Sequence, residues 1–445
     1  MSVAPPKSAL AGKRLMVLVN PIGGARQGRV ICNTRVLPFL VAAGVEVEVV
    51  ETQYRGHALE LARETDWTRY DAGLLCIGGD GLIHEVINGI VQQYDDDQAT
   101  NSHGPNQQHT PQTDNAAQQP SNASPLTIPI GVIPAGSGNG LCASLGITTP
   151  EQVVDAMLAG FTAPLDLFRT SLQIPPHHHH HPHHHSSNDT DEEYSTSNTA
   201  AKPFCPSPLD ETAHDDLSTL GNVGFLSVAW GFLAEFDHLG EGKLRWMGPL
   251  RRTLLPLYLL GMKRIQHGRI VFEGVVSPDP CAIPEQPDYL KTPADRLKVH
   301  QSTLNQDNQS QDPGYVQSGV LTARYSNNGT RVELEGPFVN VMVCNTPCIA
   351  DEALAAPFSR CHNGLLDAVV FEDENRFQIA MALDGMTNGS VVMHRHMRYY
   401  QCRSFTILPS TPGYMAIDGE VIPAQPITVS VWPRAVRVYS PKHIP

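Results

Sequence analysis

The residue most suggestive of chemistry is a carboxylate set among glycines. An apolar run from Leu74 to Ile77 is followed by Gly78-Gly79-Asp80-Gly81, which indicates a buried strand, a tight turn and a helix start. Glycines let backbone N–H groups approach an anion, and a helix N-terminus adds partial positive charge. Asp80 would repel phosphate, so it suits either a Mg²⁺ ligand or a base that takes a proton from an attacking hydroxyl. A plain strand-to-helix turn with an aspartate cap is the simpler alternative.

Two further glycine turns have the same kind of position. Asn20-Pro21-Ile22-Gly23-Gly24 follows a predicted strand over Lys13–Val19, and Pro134-Ala135-Gly136-Ser137-Gly138-Asn139-Gly140 follows another over Thr127–Ile133. Ligands of parallel sheets bind beyond the carboxyl ends of the strands, so the three turns predict one anion-binding cradle. The sequence has no G-x-x-x-x-G-K-[ST] loop, which excludes the P-loop enzymes. A nucleotide-dependent transfer is the function class that fits best.

Charged residues elsewhere could complete a phosphate-transfer site. Arg245 and Arg251 offer guanidinium groups that suit phosphate oxygens, although solvated surface arginines would look the same. Asp418-Gly419-Glu420 is either part of a site or a plain hairpin turn. Asp237 ends the apolar segment 223–236, where it could pair with a substrate ammonium or hydroxyl. A helix cap or a solvated loop residue is the alternative for Asp237.

The elements that must position these residues form two domains. Alternating strands and helices over 13–164 predict an α/β domain with a doubly wound parallel sheet. Over 165–440 many short strands predict an antiparallel β-sandwich, with helices near 249–266 and 374–388. A cleft between the two domains is the expected binding place.

Composition separates loops from the folded parts. The 445 residues include 31 basic and 45 acidic side chains, and the net charge of −14 resides in three polar inserts that are predicted to be disordered, 95–125, 173–218 and 277–317. Without a basic stripe, nucleic-acid binding is not expected. Whether the histidine run 177–185 binds a metal stays open. Nine dispersed cysteines, no secretory leader and no apolar run of membrane-spanning length predict a cytoplasmic protein.

The motifs taken together resemble those of a known family. They are Asn20-Pro21 with Gly23-Gly24, the stretch Gly78–Gly89 (GGDGLIHEVING), the stretch Pro134–Asn139 (PAGSGN), the stretch Ser227–Asp237 (SVAWGFLAEFD) and Asp418-Gly419-Glu420. In this order they resemble the sphingosine kinases, within the diacylglycerol-kinase-like lipid kinases. GGDG alone would also suit NAD kinases, whereas the whole set is specific.

The resemblance implies roles for individual residues. Asp80 would be the general base on the substrate's primary hydroxyl or would orient it. Asp237, helped by Ser227 and Asp80, would bind the head group of the lipid. ATP with Mg²⁺ is the implied cofactor, and the metal ligands are left open. The residues implied in ATP binding are Asn20, Thr52, Gly78, Gly79, Gly136, Ser137, Asn139, Arg245, Arg251, Asp418, Gly419 and Glu420.

The predicted function is therefore the ATP-dependent phosphorylation of sphingosine or a related sphingoid base, giving sphingosine 1-phosphate. A ceramide or diacylglycerol kinase is the near alternative, and a non-catalytic lipid-binding protein is the alternative of another class. The resemblance implies that the helix over 249–266 is a lid over the lipid chain that touches a membrane peripherally, and its apolar and basic side chains would suit both roles. The cytoplasmic protein would then be recruited to membranes. A helix packed on the sandwich is the alternative for this segment.

Overall fold

The N-terminal part of the chain contains a parallel sheet of four strands. These are β1 (Arg14–Val19), β2 (Glu46–Glu51), β3 (Leu74–Gly78) and β4 (Ile130–Pro134), in the order β2–β1–β3–β4. Strands β1 and β3 are buried almost throughout, which explains their unbroken apolar runs. The structure is a computed structural model, and it describes residues 8–102, 128–172, 222–241, 250–276, 315–318, 321–327, 329–394 and 397–441.

Helices follow each of these strands. They are α1 (Gly28–Ile31), a π-helical turn (Cys32–Val36), α2 (Leu37–Ala42), α3 (His57–Glu64), α4 (Asp80–Ser102), α5 (Gly140–Ser144) and α6 (Pro150–Ala159). The single helix predicted over 28–43 is thus interrupted by a π turn. The reason is Pro38, which lacks the N–H needed to continue an α-helical ladder. Thr149 caps α6 as predicted, and its N–H donates to Gln152 Oε1 at 3.0 Å.

The rest of the chain is rich in antiparallel strands. They are β5 (Thr162–Leu172), β6 (Val223–Gly224), β7 (Ser227–Gly231), β8 (Gln266–Glu273), β9 (Tyr315–Ser318), β10 (Leu321–Ser326), β11 (Arg331–Cys344), β12 (Cys348–Ala350), β13 (Ala353–Leu354), β14 (Leu366–Glu372), β15 (Met397–Cys402), β16 (Ser404–Pro409), β17 (Tyr414–Ile417), β18 (Glu420–Pro423) and β19 (Ile427–Tyr439). In the described part of the chain these strands are accompanied by three α-helices, α7 (Phe232–Glu241), α8 (Leu250–Met262) and α9 (Arg376–Gly385), and by a 3₁₀ helix (Ser390–Met393).

Most of these strands form a sandwich around one aromatic core. Phe168, Trp230, Phe272, Phe338 and Phe405 are fully buried between the two layers. Strand β11 belongs to both layers, since its first half pairs with β8 and β10 and its second half with β7 and β14. Helices α7, α8 and α9 share a second core on the outer face of the β7–β11–β14 layer. The predicted fold class, a parallel α/β domain followed by an antiparallel β-sandwich, is confirmed.

Strand β19 links the two domains. It pairs antiparallel with β5 along its length, and Val438 pairs in parallel with Ile130 of β4. Its last residues, among them Val436 and Tyr439, are buried in the core of the N-terminal domain. The register shifts between Trp432 and Val436, which lets one strand follow the twist of both sheets.

The first predicted insert begins later than expected. Residues 95–102 form the end of α4, so the prediction of disorder from residue 95 was wrong there. Ion pairs tie part of this end to the rest of the protein, because Arg169 pairs with Asp95 at 2.9 Å and Arg63 with Asp96 at 2.8 Å. Residues 315–317 of the third insert form strand β9. The remaining insert residues lie outside the described chain, as does the histidine run 177–185.

Other element boundaries also differ from the predictions. The helix predicted over 249–266 ends at Met262, where Lys263 adopts a left-handed backbone (φ 38°) and Gln266 then begins β8. The strands predicted over 331–335 and 338–344 are one strand, β11, and β15 was not predicted. Asp237 lies within α7 and is neither a helix cap nor a loop residue.

Candidate active site

The three glycine turns meet at the carboxyl ends of β1, β3 and β4. A methyl group added to Gly79 would lie 2.9 Å from Gly136 Cα, and one added to Gly24 would lie 2.6 Å from Ala135 O. Backbone therefore packs directly on backbone, and only glycine fits at these contacts. Gly24 also has a φ of 50°, a left-handed backbone conformation that residues with a side chain rarely adopt. The three turns therefore meet at one place on the sheet edge, where an anion-binding cradle is expected.

Gly136→Ala is expected to open this cradle. The added methyl group would overlap Gly79 Cα, so one turn must move away from the other. We expect the free energy of unfolding to fall by about 1–3 kcal/mol. ATP binding should weaken by at least about tenfold, measured by calorimetry. Gly261→Ala on α8 is the matched control, because a methyl group there meets nothing within 4 Å. Equal ATP affinity of both variants would contradict the proposed cradle.

Two asparagines in the predicted ATP site shape the turns that contain them. Asn20 Oδ1 accepts the N–H groups of Ile22 at 3.1 Å and Gly23 at 3.0 Å. Asn139, with φ of 54°, accepts from Gly136 N–H at 3.0 Å and donates to Gly136 O at 3.2 Å. The structure thus gives both side chains a scaffolding role at the cradle. Thr52 is buried at the end of β2, and Ser137 is exposed at the tip of its turn.

Asp80 is held in place at the start of α4. Its Oδ2 accepts the N–H of Gly140 at 2.8 Å, and its Oδ1 accepts the N–H of Leu141 at 3.2 Å. The carboxylate therefore also caps the N-terminus of α5. Burial raises the pKa of Asp80 to about 6, although these two N–H donors oppose the shift, and the charges of Asp418 and Asp351 add to it. A fixed carboxylate with such a pKa can accept a proton near neutral pH.

Asp418 has a different place from the one predicted. Its carboxylate is buried and accepts the N–H groups of Phe225 at 3.0 Å, Leu226 at 2.9 Å and Ser227 at 3.0 Å. Its Oδ2 also lies 2.9 Å from His84 Nδ1. These contacts turn the carboxylate toward the protein interior, so direct contact of Asp418 with ATP does not fit the structure. Asp418 and Gly419 form a tight hairpin turn between β17 and β18, with φ of 52° and 87°.

Glu420, the last residue of this turn, lies at the rim of the site. It forms an ion pair with Arg55, which is in the connection between β2 and α3. A methyl group added to Gly81 would lie 3.7 Å from Glu420 Oε1. Glu420 is therefore the member of this turn whose side chain approaches the first turn of α4.

The residues that follow GGDG on α4 assemble the protein around the site. His84 and Asn88 face the second domain, and Asn88 exchanges hydrogen bonds of 2.7 and 3.1 Å with the backbone of Val223. Glu85 accepts the N–H groups of Gly56 and Ala58 at the start of α3, at 3.0 and 3.1 Å. These residues connect distant parts of the chain, so reading the sequence locally could not give their roles.

The predicted lipid-binding residues occupy adjoining elements. Ser227 is the first residue of β7 and is buried beside Asp418, whereas Asp237 is partly buried on α7. Glu235 on the same helix is more deeply buried, and its Oε1 lies 3.5 Å from Gln266 Nε2. Burial raises the pKa of Glu235, and the charge of Arg264, 3.7 Å away, opposes that shift.

The side chains of the two predicted arginines lie outside the part of the structure that is described. Arg251 lies in the first turn of α8 and its side chain is not described, and Arg245 lies outside the described residues. Among the described side chains, no three His, Cys, Asp or Glu residues form a group that could hold a metal ion. The ATP roles of both arginines stay predictions.

Comparison with known proteins agrees with this geometry. Residues 14–170 match the family model of the diacylglycerol kinase catalytic domain, and residues 319–440 match that of the YegS C-terminal NAD kinase beta sandwich-like domain. The chain thus contains a diacylglycerol kinase catalytic domain followed by a YegS C-terminal NAD kinase beta sandwich-like domain. It is 26% identical to sphingosine kinase 1 of Arabidopsis thaliana over 428 residues, covering 92% of this chain and 68% of that protein. It is 27% identical to human sphingosine kinase 1 over 432 residues, which covers 94% of this chain and 89% of the human protein.

Solved structures share the fold of this chain. A crystal structure of a diacylglycerol kinase from Bacillus anthracis str. Sterne matches with a TM-score of 0.50 at 12% identity, covering 97% of this chain and 98% of that one. A second Bacillus anthracis structure of this kind matches with a TM-score of 0.55 at 14% identity over 100% of both chains. At such identities the likeness concerns the fold alone.

Proposed function

We propose that the protein transfers the γ-phosphate of ATP to the primary hydroxyl of a sphingoid base. The observation that carries this proposal is the position of Asp80, a fixed carboxylate at the edge of a glycine cradle and next to the second domain. Phosphate suits the cradle and a hydroxyl nucleophile suits the carboxylate. Two relatives that match over most of the chain are sphingosine kinases, which favours a sphingoid base as the acceptor.

The chain's own residues account for the steps of such a transfer. The backbone N–H groups of the three turns that do not donate to Asn20 or Asn139 would hold the phosphates. The close packing at Gly24, Gly79 and Gly136 brings the turns together. Mg²⁺ would neutralise phosphate charge when bound. Asp80 accepts the proton of the hydroxyl as its oxygen bonds to the γ-phosphorus and the bond to the ADP oxygen breaks. Asp80, fixed by Gly140 and Leu141, stays aligned during this step.

The acceptor is tested by a lipid panel with labelled ATP. We expect phosphate transfer to sphingosine, dihydrosphingosine or phytosphingosine and much less to ceramide or diacylglycerol. The expected reason is charge, since a sphingoid base carries an ammonium and the other two lipids do not. Preferential transfer to diacylglycerol or ceramide would favour the near alternative. No transfer to any lipid, with lipid binding retained, would favour a non-catalytic lipid-binding protein.

Asp237→Asn is expected to raise KM for sphingosine by about tenfold, which equals about 1.4 kcal/mol of lost binding. Asp237 is partly buried on α7, close in sequence to the apolar side chains that line this helix. KM for ATP should change little, because Asp237 would bind the head group of the lipid only. His238→Gln, next to it on α7, is the control. Equal increases in both KM values would remove Asp237 from the lipid site.

We also propose that α8 brings the cytoplasmic protein to a membrane. One face of α8 packs into the core through Leu255 and Leu259, and the other exposes large apolar side chains, with Leu257 at 62% and Tyr258 at 56%. Phe377 on the neighbouring helix α9 is 70% exposed, and the Arg376 side chain bonds to the carbonyls at the end of α8. Such a surface suits peripheral contact with lipid. No helix among the described residues combines the length and apolar character needed to cross a bilayer.

A further inference from the structure

A hairpin of the second domain lies against the loop that fixes Asp80. The hairpin consists of β12, β13 and the turn between them. Ser144 Oγ at the end of α5 bonds to both the N–H and the carbonyl of Cys348, at 3.0 and 3.2 Å. A methyl group added to Gly140 would lie 2.7 Å from Ile349 C, so the hairpin backbone touches the start of α5.

This docking brings a second carboxylate to the site. The backbone N–H of Asp351, at the tip of the hairpin, donates to Gly138 O at 2.7 Å. On the other side of the same residue, a methyl group added to Gly138 would lie 3.3 Å from Asp80 Oδ2. Asp351 and Asp80 therefore flank Gly138, and the Asp351 side chain is exposed. The charge of Asp351 contributes to the raised pKa of Asp80, which agrees with this proximity.

A second acidic side chain is costly beside a phosphate cradle. At the separations of a binding site, two negative charges repel each other by several kcal/mol where water is partly excluded. The proposed reaction introduces two cations that would reverse this cost, namely the substrate ammonium and Mg²⁺. An exposed carboxylate at the domain boundary can meet either of them, because both would arrive with the reactants.

We propose that Asp351 is a cation-binding residue of the active site, placed there by the β12–β13 hairpin. This inference rests on the proposed function, because the sphingoid ammonium and the metal of ATP are the cations concerned. It assigns the second domain a direct role in binding the reactants. The adjacent Glu352 is also exposed in the same turn and offers a matched carboxylate for comparison.

The test compares Asp351→Asn with the matched control Glu352→Gln in the full chain. Calorimetry measures binding of a short-chain sphingosine and of its neutral N-acetyl form, and binding of a non-hydrolysable ATP analogue at several Mg²⁺ concentrations. We expect Asp351→Asn to weaken one cation-dependent equilibrium about two- to fivefold, as expected for a solvent-accessible charge pair. If Asp351→Asn lowers the affinity for the cationic lipid and leaves that for the neutral lipid unchanged, the substrate ammonium is the cation that Asp351 binds. If the variant needs more Mg²⁺ to bind the ATP analogue, the cation is the metal.

The control and the wild-type turnover separate the possible failures. If Asp351→Asn behaves like Glu352→Gln in both binding experiments, the role of Asp351 is overturned. Loss of binding for the neutral lipid to the same extent would also overturn it, because that result indicates a displaced hairpin. Phosphate transfer by the wild type is measured in parallel. Its absence would refute the proposed function, whereas the binding data still decide whether Asp351 meets a cation.

Discussion

Asp80→Asn is expected to reduce kcat for phosphate transfer by about 10²–10⁴-fold, the usual contribution of a general base. The asparagine keeps one oxygen to accept from Gly140 or Leu141, so the start of α5 should stay in place. It cannot accept a proton from the substrate hydroxyl. The free energy of unfolding should therefore change far less than kcat, and ATP affinity should stay near that of the wild type. Steady-state kinetics with urea unfolding measures both effects.

The same role predicts how wild-type activity depends on pH. Because burial raises the pKa of Asp80 to about 6, its carboxylate accepts a proton above that pH and is already protonated below it. Activity should fall as the pH decreases through about 6. Asp155→Asn is the control for the substitution, since Asp155 is an exposed carboxylate on α6. Near-normal kcat in Asp80→Asn, with the low-pH decrease unchanged, would refute the base assignment.

Asp418→Ala is expected to lower the free energy of unfolding by about 3–5 kcal/mol, the usual cost of removing one partner from a buried charged contact. Three backbone N–H groups over 225–227 would lose their acceptor, and His84 would lose its carboxylate partner. Buried donors left without an acceptor are costly because water cannot replace it. Urea unfolding measures the loss. Activity per folded molecule should fall less, since Asp418 would act through the position of α4.

Glu420→Gln provides the comparison within the same turn. Its partner Arg55 is 62% exposed, and exposed ion pairs contribute only about 0–1 kcal/mol to stability. We therefore expect Glu420→Gln to affect ATP kinetics more than unfolding. If Asp418→Ala were as stable as the wild type and failed to bind ATP, the sequence-based ATP role of Asp418 would be right and its structural role wrong.

The features that the sequence predicted well depend on short stretches of chain. The glycines at 78–79 and 136 can be recognised in the sequence as residues that permit close contact between backbone segments. Because each turn comes at the end of an apolar strand, their meeting at one edge of the sheet could be expected. The α/β and sandwich classes follow likewise from strand and helix spacing. Asp80 was identifiable because its motif contains both the strand and the helix that position it.

The features that could not be predicted depend on contacts between distant residues. Asp418 has the hairpin turn that its sequence allows, but its burial depends on a backbone segment almost 200 residues earlier. No sequence motif marks Asp351, and it comes close to Gly138 because its hairpin packs on α5. The end of α4 was predicted too early because residues 95–102 are polar and have weak helix propensity. In the structure, ion pairs of Asp95 with Arg169 and of Asp96 with Arg63 stabilise the helix there.

The path of β19 has a consequence for how the chain folds during synthesis. Val436 and Tyr439 fill the core of the N-terminal domain, and Val438 pairs with the edge strand β4. The ribosome therefore releases most of the N-terminal domain long before the strand that completes it has been synthesised. Until residues 427–439 are made, the edge of β4 lacks its Val438 partner, and unpaired strand edges are prone to association. We infer that chaperone protection of β4 matters most during this interval.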